Sequence, residues 1–367
     1  MEAEAPGPLF RTIPEIVEKA RASMPVELWA NSYGGAESET TIRRNRTAFE
    51  SLAFVPRLLT GVKDRTLNTV LLGQPLSMPV GLAPVGGVAR FHAGGGLAWA
   101  RAARKADTIA FISNGSLPKP EEMQAIEHGP LVAQLYVDGD IDWQKEYVRN
   151  AERAGYAGIC LTADAPTLPR NDRDLMNNFS VREMRANERG IILPTKPDAF
   201  RAAFNWDDFS RLRDTTSLKL LLKGVMCAAD ADEAIRRGAD AVYVSNHGGR
   251  ATDHLPSTIE VLPEIVKRVA GRAEVIVDSG YMRGSDVVKA LALGANAIMI
   301  GRLAAWAIAT AGEEGLGYAL ELLRLEVSNV MAGIGARSVA ELGPDCLRQT
   351  IVPASTPWPT FEPARPD

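Results

Sequence analysis

The chain has 367 residues, 46% of them hydrophobic and 23% charged, with a formal net charge of −4. That balance is ordinary for a globular protein, leaves room for one large α/β domain or two smaller ones, and makes no electrostatic case for nucleic acid or an anionic membrane surface. The three cysteines, Cys160, Cys227 and Cys346, show neither metal-ligand spacing nor a disulfide framework, so no metal is expected, each reads as a small buried side chain, and a reducing cytoplasmic setting fits.

The first residues, MEAEAPGPLFRTIPEIVEKA, lack a basic segment followed by an apolar one and do not read as a signal peptide. No apolar run reaches the roughly 18 residues that would mark a membrane span. Within residues 1–65, PEIVEKARASMP and SETTIRRNRTAFESL predict helices, the second with Ser38 or Thr40 as its cap and with Arg43 and Arg44 on a solvated face.

Eight β-rich runs follow, at 78–84, 108–113, 131–136, 158–164, 218–224, 241–249, 274–280 and 297–302, and helical patterns separate them. Strands alternating with helices predict parallel pairing with right-handed crossovers. The runs are nearly continuous in apolar residues, as expected when helices cover the sheet. Their spacing is even apart from one long interval. The pattern predicts a single domain, a (β/α)₈ TIM barrel, with an N-terminal helical segment and a long insertion at 166–216 after strand 4. A doubly wound open sheet would need a glycine-rich dinucleotide turn, and APVGGVARFHAGGG does not fit GxGxxG. The insertion reads as a lid or substrate wall. Residues 306–336 supply two helices that close the ring, and 352–367 form a proline-rich tail.

In such a barrel the C-terminal strand ends form the working ring. Here they carry Pro84, Val85 and Gly86; Ser113; Gln134 and Tyr136; Thr162 and Asp164; Lys223; Ser245, Asn246 and His247; Asp278, Ser279 and Gly280; and Gly301 and Arg302. The last two units place glycines and Arg302 at helix starts, which suits a phosphate monoester, with Arg283 as a further charge. His247 with Asp164 is a candidate base with its orienting carboxylate, and Arg250 in SNHGGR is a fork for a substrate carboxylate. His92, His128 and His254 have no comparable partners in the pattern. The glycine run 94–96 reads as a turn.

Taken together, SNHGGR, LTADAP, LLKGV, AQLYV, MPVGLAP and DSGYMRGSDVVKALALGANAIMIGR resemble the FMN-dependent α-hydroxy acid oxidases and dehydrogenases over about Met24 to Val339. The resemblance implies FMN across the strand ends. Pro84, Val85 and Gly86 would lie against the flavin, and Ser113, Gln134 and Thr162 would hydrogen-bond its ring. Lys223 would sit near the pyrimidine end, with Ser245 as another contact. Asp278, Ser279, Gly280, Arg283, Gly301 and Arg302 would serve the ribityl and phosphate groups. His247 would be the catalytic base, Asp164 its partner, Tyr136 a hydrogen bond to the substrate hydroxyl, and Arg250 the carboxylate clamp. By the same resemblance the enzyme is a homotetramer, reoxidised by oxygen or another acceptor.

Four positions depart from the family pattern. Three would be substrate-binding positions of the pocket wall: Asn31 stands where a tyrosine is usual, Asn171 where an arginine is usual and Gly115 where an aromatic is usual; the fourth, Met282, stands in the phosphate segment where another arginine is usual. Tyr33, Arg170 and Arg173 lie close by as possible replacements. The expected substrate is therefore a 2-hydroxy acid with a bulky or aryl side chain. The alternative is a larger substrate such as a peptide-derived cyclic amine, as in pre-mycofactocin synthase. A catalytically silent flavoprotein is disfavoured, because no binding role requires His247, Asp164, Lys223 and Tyr136 together. A phosphate-binding barrel isomerase without net redox is the remaining reading.

Overall fold

The computed structural model describes residues 9–116, 119–167, 170–179 and 197–351. The eight apolar runs form β1 (Val80–Leu82), β2 (Ala110–Ser113), β3 (Leu131–Leu135), β4 (Gly158–Thr162), β5 (Lys219–Val225), β6 (Ala241–Val244), β7 (Glu274–Val277) and β8 (Ala297–Ile300). Each pairs in parallel with its neighbours in chain order, and β8 closes on β1 through Ile298–Val80, Met299–Gly81 and Ile300–Leu82. The predicted barrel is therefore present. Most of its strands are shorter than the apolar runs, and several end where polar residues turn out toward the mouth.

Alternation along each strand divides the core in two. Phe111, Val132, Cys160, Leu221, Tyr243, Ile276 and Met299 fill the barrel interior. A hairpin, Thr69–Leu71 with Gln74–Leu76, plugs its bottom by adding Leu71, Leu72 and Leu76 to that cluster. The alternate residues face the helices and belong to the larger outer core. Cys160 is buried as expected, but Cys227 is exposed at the start of a helix and Cys346 is intermediate.

The helices are α1 (Ile13–Ser23), α2 (Val26–Tyr33), α3 (Thr40–Glu50), α4 (Gly95–Lys105), α5 (Ile141–Arg153), α6 (Asp172–Met176), α7 (Pro197–Ala203), α8 (Trp206–Arg213), α9 (Ala228–Arg236), α10 (Thr258–Val269), α11 (Gly284–Ala292) and α12 (Arg302–Ile334). The two helices expected after β8 form the continuous run of α12, broken at Ala311 and Gly312 where the backbone leaves helical angles. α1 starts on a reciprocal Thr12–Glu15 capping box and packs along α12.

α3 is capped differently from the expectation. Neither Ser38 nor Thr40 caps it, and Glu39 at the cap position has φ 59° and makes no side-chain cap bond. Asp253, from the loop after β6, takes that role instead, accepting from the Thr40 amide at 3.1 Å and the Thr41 amide at 2.7 Å. Burial alone would raise the Asp253 carboxyl, but these amides and the Ser38 hydroxyl outweigh it and hold it well below the usual range. Arg44 is also less solvated than expected, since its Nη1 donates to the Leu255 carbonyl oxygen at 2.6 Å. α3 is thus fastened over the mouth of the barrel, against the His247–Gly249 turn.

The insertion contributes α6, α7 and α8. Residues 168–169 and 180–196 of it, and the tail 352–367, lie outside the described residues.

Candidate active site

β5 carries an irregularity. Its register with β6 shifts between Lys223 and Val225, and Gly224 has φ +106°. Such a bulge re-aims a side chain beside an active site. Here Lys223 reaches Asp164 on the neighbouring strand end, with Nζ 3.0 Å from Oδ2, and both side chains are buried. Asp164 Oδ1 lies 2.8 Å from His247 Nδ1, and His247 Nε2 lies 3.2 Å from the Tyr136 hydroxyl. The four residues therefore form one chain, Lys223–Asp164–His247–Tyr136.

The electrostatics of that chain are mutual. Burial would raise the Asp164 carboxyl, but the Lys223 ammonium and the His247 ring outweigh it and hold it far below the usual range. Burial likewise opposes the Lys223 charge, yet Asp164, Asp278 and Tyr136 raise it above that of an ordinary lysine. Asp164 is an anion and Lys223 a cation at any physiological pH.

A Cβ placed at Gly224 would stand 2.5 Å from Asp164 Cβ and 2.9 Å from its amide nitrogen. Gly224→Ala is therefore expected to cost about 1–3 kcal/mol through the backbone alone. Because it also displaces Asp164, it should slow anaerobic flavin reduction by roughly tenfold or more. Thermal unfolding and stopped-flow reduction of the same sample test both halves.

His247 sits at φ +57°, Gly248 at +65° and Gly249 at +71°. The left-handed turn is stabilised from several sides. Ser245 Oγ accepts from the His247 amide at 3.1 Å, and Ser279 Oγ accepts from the Gly248 amide at 3.0 Å. Asn246 exchanges side-chain bonds with Asn45 of α3 at 2.9 and 2.7 Å. A side chain at Gly249 would collide with Ile42 of α3. The glycines of SNHGGR thus let α3 close on the turn while His247 points at Tyr136.

Arg250 Nη1 donates to the carbonyl oxygens of Asn31 and Gly34. Arg302, the first residue of α12, donates to the carbonyl oxygens of Ser32, Gly248 and Gly34 at 3.0, 2.8 and 2.8 Å. Burial and the like charge of Arg250 press Arg302 down to about 9. It stays protonated near neutral pH, and the two guanidinium groups together favour an anion at this end.

Tyr136, Lys223, His247, Gly248, Arg250 and Arg302 line a cavity of about 580 Å³. Of the expected cofactor residues, Pro84, Val85, Gly86, Lys223, Asp278, Ser279, Gly280, Gly301 and Arg302 line it. Ser113, Gln134, Thr162 and Ser245 do not; they are buried at the strand ends. Ser113 Oγ accepts from the Gly115 amide at 3.0 Å, and Thr162 Oγ1 accepts from Gln134 Nε2 at 2.9 Å. Arg283 is the clear departure. Its guanidinium pairs with Glu326 of α12, with Nη2 2.6 Å from Oε1, so its side chain is directed to that helix and not to the cavity.

The residues present fit FMN. Gln134 Oε1 is fully buried and has no hydrogen-bond partner, as expected of an acceptor awaiting a ring N–H. Lys223 supplies a cation, and the backbone of 278–280 and 301–302, with Arg302 and the start of α12, offers an anion site. Met282 lines the same cavity, buried, where the resemblance leads one to expect a charge.

The substrate wall differs most from expectation. Asn31 and Asn171 both line the cavity, but both are occupied. Asn31 Nδ2 donates to Asp174 Oδ2 at 2.8 Å. Asn171 caps α6, its Oδ1 accepting from the Arg173 and Asp174 amides at 3.1 and 3.4 Å. Gly115 does not line the cavity, because its backbone is tied to Ser113 and to the Gly87 amide. Neither Tyr33 nor Arg173 replaces a lost group: Tyr33 stacks with Trp29 and Trp306, and Arg173 pairs with Glu39. Arg170 does line the cavity, although 73% of its side chain is exposed. Asp174 and Arg201 escaped the sequence reading. Both come from the insertion, which has no strand-end register to single them out. The Arg201 guanidinium lies 4.7 Å from the centre of the Tyr136 ring and pairs with Asp138.

Comparison with known proteins agrees with this geometry. Residues 20–349 match the FMN-dependent dehydrogenase family. A peroxisomal (S)-2-hydroxyacid oxidase of Arabidopsis thaliana is 36% identical over 342 residues, covering 90% of this chain and 94% of its own. Glycolate oxidase of Spinacia oleracea is 37% identical over 338 residues, covering 88% and 91%. Among solved structures, mandelate oxidase with (S)-2-phenylpropionate superposes with a TM-score of 0.85 at 36% identity, covering 93% of this chain and 99% of the other. A soluble mutant of the membrane-associated (S)-mandelate dehydrogenase from Pseudomonas putida gives 0.86 at 35% identity, covering 92% and 99%. On its barrel, its strand-end residues and these matches, the chain belongs to the FMN-dependent dehydrogenase family of oxidoreductases.

Proposed function

We propose that the protein dehydrogenates a 2-hydroxy acid with a bulky or aryl side chain to the 2-oxo acid, with oxygen or another acceptor taking the electrons. The observation that carries this reading is the chain Lys223–Asp164–His247–Tyr136 converging with Arg250 on one cavity. FMN, when bound, supplies the two-electron acceptor. Arg250 faces the substrate carboxylate, and Tyr136 donates a hydrogen bond to the substrate oxygen. His247 Nε2 takes the substrate proton, and Asp164 at Nδ1 stabilises the imidazolium that results. Lys223 keeps Asp164 ionised for that role and presents a positive charge to the cofactor's ring.

The apolar wall of Phe91, Leu175, Phe179 and Ala251 supports the bulky or aryl side chain, and so does the similarity to mandelate oxidase. One observation favours the second reading, an FMN-dependent oxidation of a larger cyclic amine: Asn31 and Asn171 are spent on protein partners, which leaves the carboxylate with a thinner clamp. No helix among the described residues is long and apolar enough to cross a membrane. A cytoplasmic homotetramer completes the proposal, and sedimentation of the purified holoenzyme tests the assembly.

The deciding experiment is anaerobic mixing of the holoenzyme with glycolate, lactate, mandelate, longer 2-hydroxy acids and cyclic amines. Bleaching of the flavin should be fastest with the bulky or aryl hydroxy acids. Efficient turnover of glycolate or lactate at low Michaelis constants would overturn the size assignment, and bleaching by amines alone would establish the second reading.

A further inference from the structure

Asp174 belongs to α6, in the insertion after β4, and is 9% exposed. It lines the same cavity as His247, Tyr136 and Arg250. One oxygen, Oδ2, accepts from Asn31 Nδ2 at 2.8 Å; the other, Oδ1, is buried and has no hydrogen-bond partner. A carboxyl oxygen withdrawn from water without a donor is a costly arrangement, and one that lines a cavity can be satisfied by a ligand that supplies the donor. The backbone that sets it is held at both ends of the helix. Asn171 caps the helix, and the Phe179 amide donates to the Asp174 carbonyl oxygen at 2.8 Å, which closes the turn behind it.

The surroundings assign this oxygen to substrate. The flavin-side groups are Lys223, the 278–280 loop and Arg302. Asp174 instead shares a wall with Asn31, Asn171 and Leu175. Burial raises its carboxyl above the usual range, and the Asn31 bond with the charges of Arg250 and Arg90 only partly offsets this. The cavity therefore presents Arg250 and an acceptor of opposite charge on neighbouring faces. A ligand that satisfies both carries an anion at one end and a donor at the other.

We propose that Asp174 is a specificity-determining receptor for a cationic donor on the substrate side chain, of which an ammonium group is the simplest. The proposal rests on the 2-hydroxy acid reading above and names the substrate class within it. A hydroxyl in the same place satisfies the hydrogen bond without the charge and ranks second; a methyl leaves Oδ1 buried and unpaired.

The test uses the holoenzyme and matched sets of 2-hydroxy acids whose side chains, straight or para-substituted aryl, end in ammonium, hydroxyl or methyl. Dissociation constants are read anaerobically from the perturbation of the flavin spectrum, and reduction rates from its bleaching. In at least one set the ammonium member should bind about tenfold or more tightly than its methyl isostere, since a site built to pair a polar group discriminates strongly against its absence. Asp174→Asn should bring that ratio to roughly threefold or less while leaving methyl binding unchanged. Its melting temperature should hold or rise, because removing a buried carboxyl with one unpaired oxygen relieves the fold. Equal binding of the methyl members in every set, or a preference that survives Asp174→Asn, overturns the proposal. So does a variant that loses stability and all ligands alike, which would make Asp174 structural. Failure of the hydroxy acid reading is distinguishable, because binding ratios would still follow Asp174 while no member reduced the flavin.

Discussion

His247→Ala is expected to retain FMN and to reduce its flavin about 10²–10⁴-fold more slowly than the parent enzyme, the range over which a positioned general base contributes. The geometry suits the proposed role of the histidine as base. Nδ1 is held by Asp164 at 2.8 Å, so the ring cannot turn, and Nε2 is left to Tyr136 at 3.2 Å on the cavity side. No described contact of the imidazole supports the fold apart from these two, and the anion site at 278–280 and 301–302 is formed by other residues. The backbone raises one complication. His247 occupies a left-handed conformation at φ +57°, which alanine tolerates poorly and asparagine tolerates well. His247→Asn therefore belongs beside the alanine variant. Both should show the parent's flavin content and both should be slow, with the asparagine variant melting near the parent and the alanine variant below it. Reduction within about threefold of the parent in the asparagine variant would place the base elsewhere.

The sequence was most informative where a residue's role follows from its distance along a strand. Eight apolar runs of similar spacing implied the barrel, and the ends of those runs led directly to Tyr136, Asp164, Lys223 and His247. What stayed hidden were contacts between residues far apart in the chain, whose partners no periodicity reveals. Asp253 caps a helix more than two hundred residues before it. Arg283, placed on the phosphate by position, is captured by Glu326. Asn171, read as a weakened substrate contact, is an N-cap, which is what an asparagine before a helical turn does best. Asp174 had no signal at all, since one carboxylate in a charged insertion looks like any other until its burial is known. The Lys223–Asp164 pair is an intermediate case. Both residues were found, but their contact depends on the bulge at Gly224, which only the backbone shows.

That pair yields the second large effect. Asp164→Asn leaves the Lys223 ammonium buried without its counter-ion, a change that costs about 3–5 kcal/mol, and it removes the group that stabilises the imidazolium of His247, so flavin reduction should fall by roughly 10² or more. The two losses are separable. In Asp164→Asn combined with Lys223→Met no charge is stranded, and most of the stability should return; the reduction rate should not, because neither group that prepared the site is restored. The pH dependence adds a further distinction. Asp164 titrates lower in the fold than in the unfolded chain, so its contribution is present above the ordinary carboxylate range and is lost as pH falls toward its depressed value. Lys223 titrates higher in the fold, so its contribution is present below the ordinary amine range and is lost as pH climbs through its raised value. Between those limits the parent should unfold with little pH dependence from this pair. Asp164→Asn should lose the acid limb that the carboxylate provides, and because burial now weighs on its lysine with only Asp278 and Tyr136 left to offset it, the variant should gain stability as that lysine deprotonates toward alkaline pH. Denaturant titrations across that range measure both limbs. A single variant as stable as the parent at neutral pH would mean that Lys223 finds another anion, and Asp278, the next carboxylate that raises it, is where that search would begin.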